Sequence, residues 1–266
     1  MCVANFMLYP YVDTTLSPAI DFTTIPHIDG LHLGFVIADS SKDPSWGGHY
    51  KVSSDYMDKR IRNFKKPLIC SFGGAAGAEL ATVCKDEYEL FTKYKYVIEK
   101  YNFKIIDFDI EGAALGNLPS IEIRNKAIRM LRKAFPKLKI HVTLPVSPNG
   151  LSPKAVEMTS LFDVVNIMAM DYGNVKEMGE AACEAATNAR RQTKKPIGIT
   201  VMIGKNDTGE VFTLRNAQQV SAFADHNYWV AFKSFWSVHR DRGLGGGLES
   251  SSQVVQNPWQ FSSFLK

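Results

Sequence analysis

Three carboxylates stand at alternate positions in Asp107-Phe108-Asp109-Ile110-Glu111, with apolar residues filling the gaps. Side chains of an extended strand alternate between faces, so all three acids share one face, and Asp107 and Glu111 lie about 13 Å apart with Asp109 midway. Carboxylates stacked in a confined space repel one another. At least one then holds its proton near neutral pH, and the others need hydrogen bonds. A carboxyl group that keeps its proton at the mouth of a pocket is what a general acid requires, and Glu111, the last of the three, is the natural donor. On an antiparallel strand the same pattern would only turn an acidic face to water. Use of the three as oxygen ligands to one divalent ion is disfavoured, because the span is too long and no His cluster supplements it. No metal or other cofactor is expected, and chelators should leave any activity unchanged.

What must position these acids is a strand whose other face, Ile106, Phe108 and Ile110, is covered by helices. Roughly eight short apolar runs recur along the chain: Asn5 to Tyr11, Leu31 to Ile37, Pro67 to Phe72, Lys104 to Glu111, Ile140 to Pro145, Val164 to Met170, Ile197 to Ile203 and Phe232 to Trp236. Amphipathic stretches separate them. Tyr88, Phe91, Tyr94, Val97, Ile98 and Tyr101 repeat at helical spacing, as do Ala127, Ile128, Leu131, Ala134 and Phe135, and Pro136 and Pro196 close helical stretches. Strands alternating with helices predict a parallel sheet, and eight of them predict an α/β fold of the (β/α)8 TIM-barrel type, whose active sites lie at the C-terminal mouth. No linker or composition shift divides the chain, so residues 1–266 read as one barrel domain with few insertions. Gly243 to Ser252 reads as a mobile loop before a last short helix around Pro258 to Phe264.

The composition agrees with such a domain. The 266 residues are 45% hydrophobic and 22% charged, enough for one substantial core. No uninterrupted apolar run is long enough to span a membrane, and no charged segment followed by an apolar one opens the chain, so a leader is not read from it. The net charge of +4 is scattered rather than gathered into a stripe, which argues against a nucleic-acid partner. Cys2, Cys70, Cys84 and Cys183 are far apart and read as free thiols, or at most one incidental bridge. Asn206-Asp207-Thr208 forms a glycosylation sequon.

The acidic run resembles the D-x-D-x-E segment that ends the fourth strand of glycoside hydrolase family 18, the chitinases and their relatives. The resemblance extends to Ser71-Phe72-Gly73-Gly74 at the third strand and to Met168-Ala169-Met170-Asp171-Tyr172-Gly173 at the sixth. Pro196 to Asn206 and Ser234-Phe235-Trp236-Ser237 resemble strands seven and eight. Pro10-Tyr11-Val12-Asp13 and Trp46-Gly47-Gly48 resemble a compact bacterial-type branch of the family. There are two departures. Lys104-Ile105 stands where the longer motif has Asp-Gly, and Met170 stands where many members have tyrosine, with Tyr172 following Asp171 instead.

The resemblance implies retaining, substrate-assisted cleavage between N-acetylglucosamine units, without a protein nucleophile. Glu111 is then the general acid and base, Asp109 the acceptor of the acetamido N–H, and Asp107 the group that sets the charge and rotamer of Asp109. Asp171 and Tyr172 would orient the distorted sugar, Met168 and Met170 would floor it, and Trp236 would stack beneath it. Tyr11, Phe35 and Trp46 are further expected to line the cleft. Gly73 and Gly74 join the binding set by allowing close backbone approach. Ser71 is not a nucleophile, since no histidine is placed to activate it. The implied partner is chitin or an N-acetylglucosamine oligosaccharide in a shallow, open groove, the protein acting as a monomer outside cells, where the polymer lies. A chitinase-like lectin that keeps the groove without turnover is the alternative, favoured by Lys104 and Met170.

Overall fold

The computed structural model describes residues 7–266. Eight parallel strands form a ring: β1, in two pieces, Met7–Leu8 and Tyr11–Asp13; β2, Leu31–Ala38; β3, Leu68–Gly73; β4, Ile105–Asp109; β5, Lys139–Pro145; β6, Val164–Met168; β7, Ile197–Met202; and β8, Val230–Trp236. Each pairs in parallel with its neighbour in chain order. Closure falls to β1, whose lower piece pairs with β8 (Met7 with Phe232) and whose upper piece pairs with β2 (Tyr11 with His32). The sheet has no free edge between first and last strands, which is the TIM-barrel arrangement the strand count predicts. Asn5 and Cys2 lie outside the described residues, and Cys70, Cys84 and Cys183 are free.

Helices cover the ring for reasons written in their ends and faces. Helix Glu87–Tyr101 starts where Asp86 accepts the Glu89 N–H at 2.8 Å and stops where Asn102 turns left-handed, at φ 54°. It buries Leu90, Tyr94, Val97 and Ile98, whereas Tyr88 is 68% exposed, so the apolar stripe is rotated from the predicted one. Helix Leu118–Ala134 is capped by Asn117 and buries Ala127, Ile128 and Leu131 as expected. No helix among the described residues is long and apolar enough to cross a membrane.

One local expectation is corrected and two details are added. Strand β4 ends at Asp109, and Glu111 instead precedes a short 3-10 turn, Gly112–Leu115. Residues 243–252 form an irregular loop, exposed over Leu244–Gly247 and tied down toward its end: Ser251 and Ser252 are fully buried, and the Arg240 guanidinium donates to the carbonyl of Leu248 as well as to those of Ile203 and Lys205. Asp241 then accepts the N–H groups of Phe261 and Ser262 and so starts the terminal helix Gln260–Leu265. Finally, Lys104 is exposed and donates to Asn102, so no lysine enters the acidic stack.

The barrel is filled in levels. Tyr9, Ile69 and Phe232 plug the base. Above them His32 and His141 pack on the Phe232 ring, at 5.3 and 5.5 Å between centroids. Burial holds both imidazoles neutral, lowering them to about 3 and about 4. Gly198 makes this packing possible, since a Cβ there would lie 2.4 Å from the Phe232 ring and 2.8 Å from Asn166 Oδ1. Next comes a polar level of Tyr11, Ser71, Asp107, Thr143, Asn166 and Thr200, and over it the barrel opens.

Candidate active site

The polar level exists to hold Asp107. This carboxylate is fully buried and receives three hydroxyl groups: Ser71 donates to Oδ2 at 2.7 Å, Thr143 to Oδ1 at 2.8 Å, and Tyr11 to Oδ2 at 3.2 Å. Burial raises its pKa to about 6, while the three hydrogen bonds pull the other way. The phenol of Tyr11 is itself pushed well up by burial and by the charge of Asp107, so it stays a donor.

Asp109, one step higher on β4, is 5% exposed, and its Oδ1 is buried without a hydrogen-bond partner. Burial, then Glu111, then Asp107 drive its pKa well above the ordinary carboxylate range. Its backbone carbonyl receives the Gly74 N–H at 3.0 Å. Gly73 packs so tightly here that a Cβ would come within 2.1 Å of the Asp109 carbonyl oxygen, at a φ of +106° that side chains avoid. Gly74 has φ +91° and lies under the Phe35 ring. Both glycines therefore set the backbone beside Asp109, and neither lines the cleft, which is a correction to their place in the binding set.

Glu111 stands half-buried at the mouth. Its pKa is raised first by burial and then by the negative charge of Asp171. Asp171 follows β6 in a left-handed turn, at φ 56°. Its N–H donates to Asn206 Oδ1 at 3.0 Å, and its Oδ1 accepts the Asp207 N–H at 2.9 Å. Asn206 is fully buried and donates to the carbonyls of Met202 and Gly204 at 2.9 and 3.1 Å. The sequon is thus a structural turn, with its amide turned inward.

A cleft of about 440 Å³ opens over these acids, bounded by Asp109, Glu111, Asp171 and Asp207 on its polar side and by Met168, Met170, Met202 and Trp236 on its apolar side. Tyr11, Phe35, Ala75, Gly112, Thr143, Pro145, Val146 and Thr200 complete it. Phe35 and Trp236 are stacked at 5.8 Å and 17°, leaving a flat aromatic wall. Two expected cleft residues lie elsewhere. Trp46 is fully buried on Pro44–Trp46, a short strand that doubles back antiparallel onto β2, and packs on Tyr101. Tyr172 packs against the core outside the cleft, and burial, with the nearby Cys183, raises its phenol pKa well above the ordinary value. Its direction follows from the left-handed Asp171, which breaks strand alternation. Thr143, Thr200, Met202 and Asp207 were missed in the sequence. Alternation along β5 and β7 from Asp107's neighbours would have turned the first three inward.

Chemically, the arrangement can donate a proton from Glu111 and accept a hydrogen bond at Asp109 beside a flat apolar wall. Among the described residues no group of His, Cys, Asp and Glu could hold a metal ion.

No family model matches the chain. A probable bifunctional chitinase/lysozyme of Escherichia coli (strain K12) is 30% identical over 286 aligned positions, which cover 92% of this chain and 32% of that protein. Endochitinase 11 of Metarhizium anisopliae is 29% identical over 272 positions, covering 87% of this chain and 52% of that protein. The chain therefore spans about a third to about half the length of these curated relatives. Among solved structures, the catalytic domain of a hyperthermophilic chitinase from Pyrococcus furiosus superposes with a TM-score of 0.85 at 28% identity, over 99% of this chain and 94% of that one. Catalytic-site mutants of active domain 2 of the Pyrococcus furiosus thermostable chitinase, complexed with chito-oligosaccharides, give 0.87 at 26%, with the same coverage. A family 18 chitinase from Pseudoalteromonas aurantia shares the fold at 14% identity and a TM-score of 0.68, over 89% of this chain and 94% of that one. With the acidic β4, the cleft above it and these likenesses together, the chain is chitinase-like in sequence and fold and is similar to the family 18 glycoside hydrolases.

Proposed function

We propose that the protein hydrolyses β-1,4 bonds between N-acetylglucosamine units, with retention and with the substrate's own acetamido group as nucleophile. The observation that carries this reading is the orphaned, buried Oδ1 of Asp109 in the cleft wall beside Glu111. A buried acceptor without a donor is costly, and an amide N–H from a bound 2-acetamido sugar would supply one. Glu111, whose pKa is raised by burial and then by Asp171, gives its proton to the glycosidic oxygen as the bond to C1 breaks. The acetamido oxygen attacks C1, and the positive charge of the resulting oxazolinium ion is offset by the single negative charge held in the Asp107–Asp109 pair. The Glu111 carboxylate then takes a proton from water, whose oxygen attacks C1, reopens the ring and leaves the β configuration. Holding nucleophile and anomeric carbon in one molecule supplies the proximity advantage of an intramolecular reaction. The Phe35–Trp236 wall offers its face to pyranose C–H groups, and Met168, Met170 and Met202 surround the acyl methyl.

The test is mass spectrometry of products from N-acetylchitohexaose incubated with the wild type and with Glu111→Gln. Cleavage that vanishes in the variant is expected. A second reading, an N-acetylglucosamine-binding lectin, draws on Met170 in the cleft and the phenol of Tyr172 outside it. Binding of the hexamer without cleavage by the wild type would favour it.

A further inference from the structure

Resting on that reading and deepening it, we propose that Asn166, which does not line the cleft, is a positioning residue: its amide aims the hydroxyl protons of Thr143 and Tyr11 at Asp107 and thereby fixes which carboxyl of the stack is ionised. The argument is one of counting protons. Thr200 Oγ1 donates to Asn166 Oδ1 at 2.8 Å, which sets the orientation of the amide. The amide nitrogen, turned the other way, reaches Thr143 Oγ1 at 3.0 Å and Tyr11 Oη at 3.4 Å. An amide nitrogen only donates. Both hydroxyls must therefore accept from it, and each has a single proton left to give. Thr143 spends its proton on Asp107 at 2.8 Å. Tyr11 has only Asp107 and Thr143 within reach, at 3.2 and 3.0 Å, so its proton also stays on the Asp107 side of the network. Were the amide reversed or absent, either hydroxyl could turn its proton away, and ionised Asp107 would keep only Ser71 as a committed donor.

The chain from Thr200 through Asn166 to Asp107 crosses β7, β6, β5 and β4, and Asn166 itself is fully buried. Gly198, on β7 opposite Asn166, leaves the space the amide occupies. The other ionisable groups near this level are Asp109 and Glu111 above, Asp171 beside Glu111, Tyr11 on β1, His32 on β2 and His141 on β5, with Cys70 behind it on the outer face of β3. Cys70 and Tyr11 are pushed up and stay neutral, and the two imidazoles are neutral above about 4. Within an assay range of mild acid to mild base, only the carboxyl groups titrate. Asp109 lacks any such donors, so an ionised Asp107 leaves the proton with Asp109.

Two variants separate this role from a packing role. Asn166→Leu removes the donor, so Asp107 should ionise less readily, and the acid limb of kcat/KM should move up by about one pH unit. Asn166→Asp keeps the shape. Its carboxyl mimics the amide while protonated, and becomes a competing acceptor once ionised, so the alkaline limb should move down instead. The substrate is an N-acetylchito-oligosaccharide with a fluorogenic aglycone, and KM should change little because Asn166 does not border the cleft. Limbs that stay at their wild-type positions in both variants, with activity merely scaled, overturn the proposal. Titration of aspartate carboxyl carbons by NMR gives a readout free of activity, with a higher Asp107 midpoint expected in Asn166→Leu and an unchanged midpoint overturning the proposal. If the wild type cleaves no oligosaccharide, the functional reading fails while the carboxyl titration still decides the role of Asn166. Should Asn166→Leu not fold, the alkaline limb of Asn166→Asp carries the test.

Discussion

Phe35 and Trp236 lie face to face, 5.8 Å apart and within 17° of parallel, so one ring props the other against the cleft. Only Trp236 needs to touch a sugar for both to matter. In a Glu111→Gln background, Trp236→Ala should weaken N-acetylchitohexaose binding by at least about tenfold, or 1.4 kcal/mol. Phe35→Leu should weaken it less, through loss of the prop. Calorimetry that finds equal affinity in all three would remove the wall from the binding site.

Asp109 should cost the fold stability at neutral pH. Its folded pKa is raised well above the ordinary value by burial, Glu111 and Asp107. At pH values below that ordinary value both folded and unfolded states are protonated and no cost arises. As pH rises past it, the unfolded chain ionises while the folded one resists, and stability falls. Asp109→Asn should therefore raise Tm at pH 7, by roughly 2–4 °C per kcal/mol gained, and raise it less at pH 4. A Tm gain that is the same at both values would mean the cost is not electrostatic.

Asp171 helps Glu111 keep its proton. Asp171→Asn preserves an oxygen for the Asp207 N–H but removes the charge, so Glu111 should ionise at lower pH. The alkaline limb of kcat/KM is expected to move down by up to about one unit. An unmoved limb would show that burial alone sets the acid.

Gly73→Ala places a methyl group 2.1 Å from the Asp109 carbonyl, at φ +106°. Strain at such a position costs about 1–3 kcal/mol before any clash is counted. Chemical denaturation should register a loss of at least that size, whereas Gly112→Ala, with nothing within 4 Å, should lose less.

Asn206 should carry no glycan. Its amide is committed to two carbonyls and its oxygen to Asp171. Intact mass after expression in a glycosylating host should match the bare polypeptide, and Asn206→Ala should lower Tm by leaving the Asp171 N–H and two carbonyls unpaired.

The fold was legible because a parallel barrel writes itself as apolar runs of one length, and the acids because their alternation is visible within five residues. Trp46 was misread since nothing local says that Pro44–Trp46 folds back onto β2. Tyr172 was misread because a single left-handed residue reverses the face that alternation assigns. For Thr143 and Asn166, strand alternation gives an inward face but not a partner. Their meaning comes from lying beside Asp107 on strands far away in the chain, and only the register supplies that.

The split first strand has a consequence for how the molecule is made. Its lower piece finds its partner at Phe232, more than two hundred residues downstream. A chain emerging from the ribosome must hold seven strands in an open arc, with one edge of β1 and one of β7 unpaired, until β8 arrives between them. The last strand synthesised is thus both the keystone of the ring and the bearer of Trp236, so sealing the barrel and finishing the sugar platform are one event.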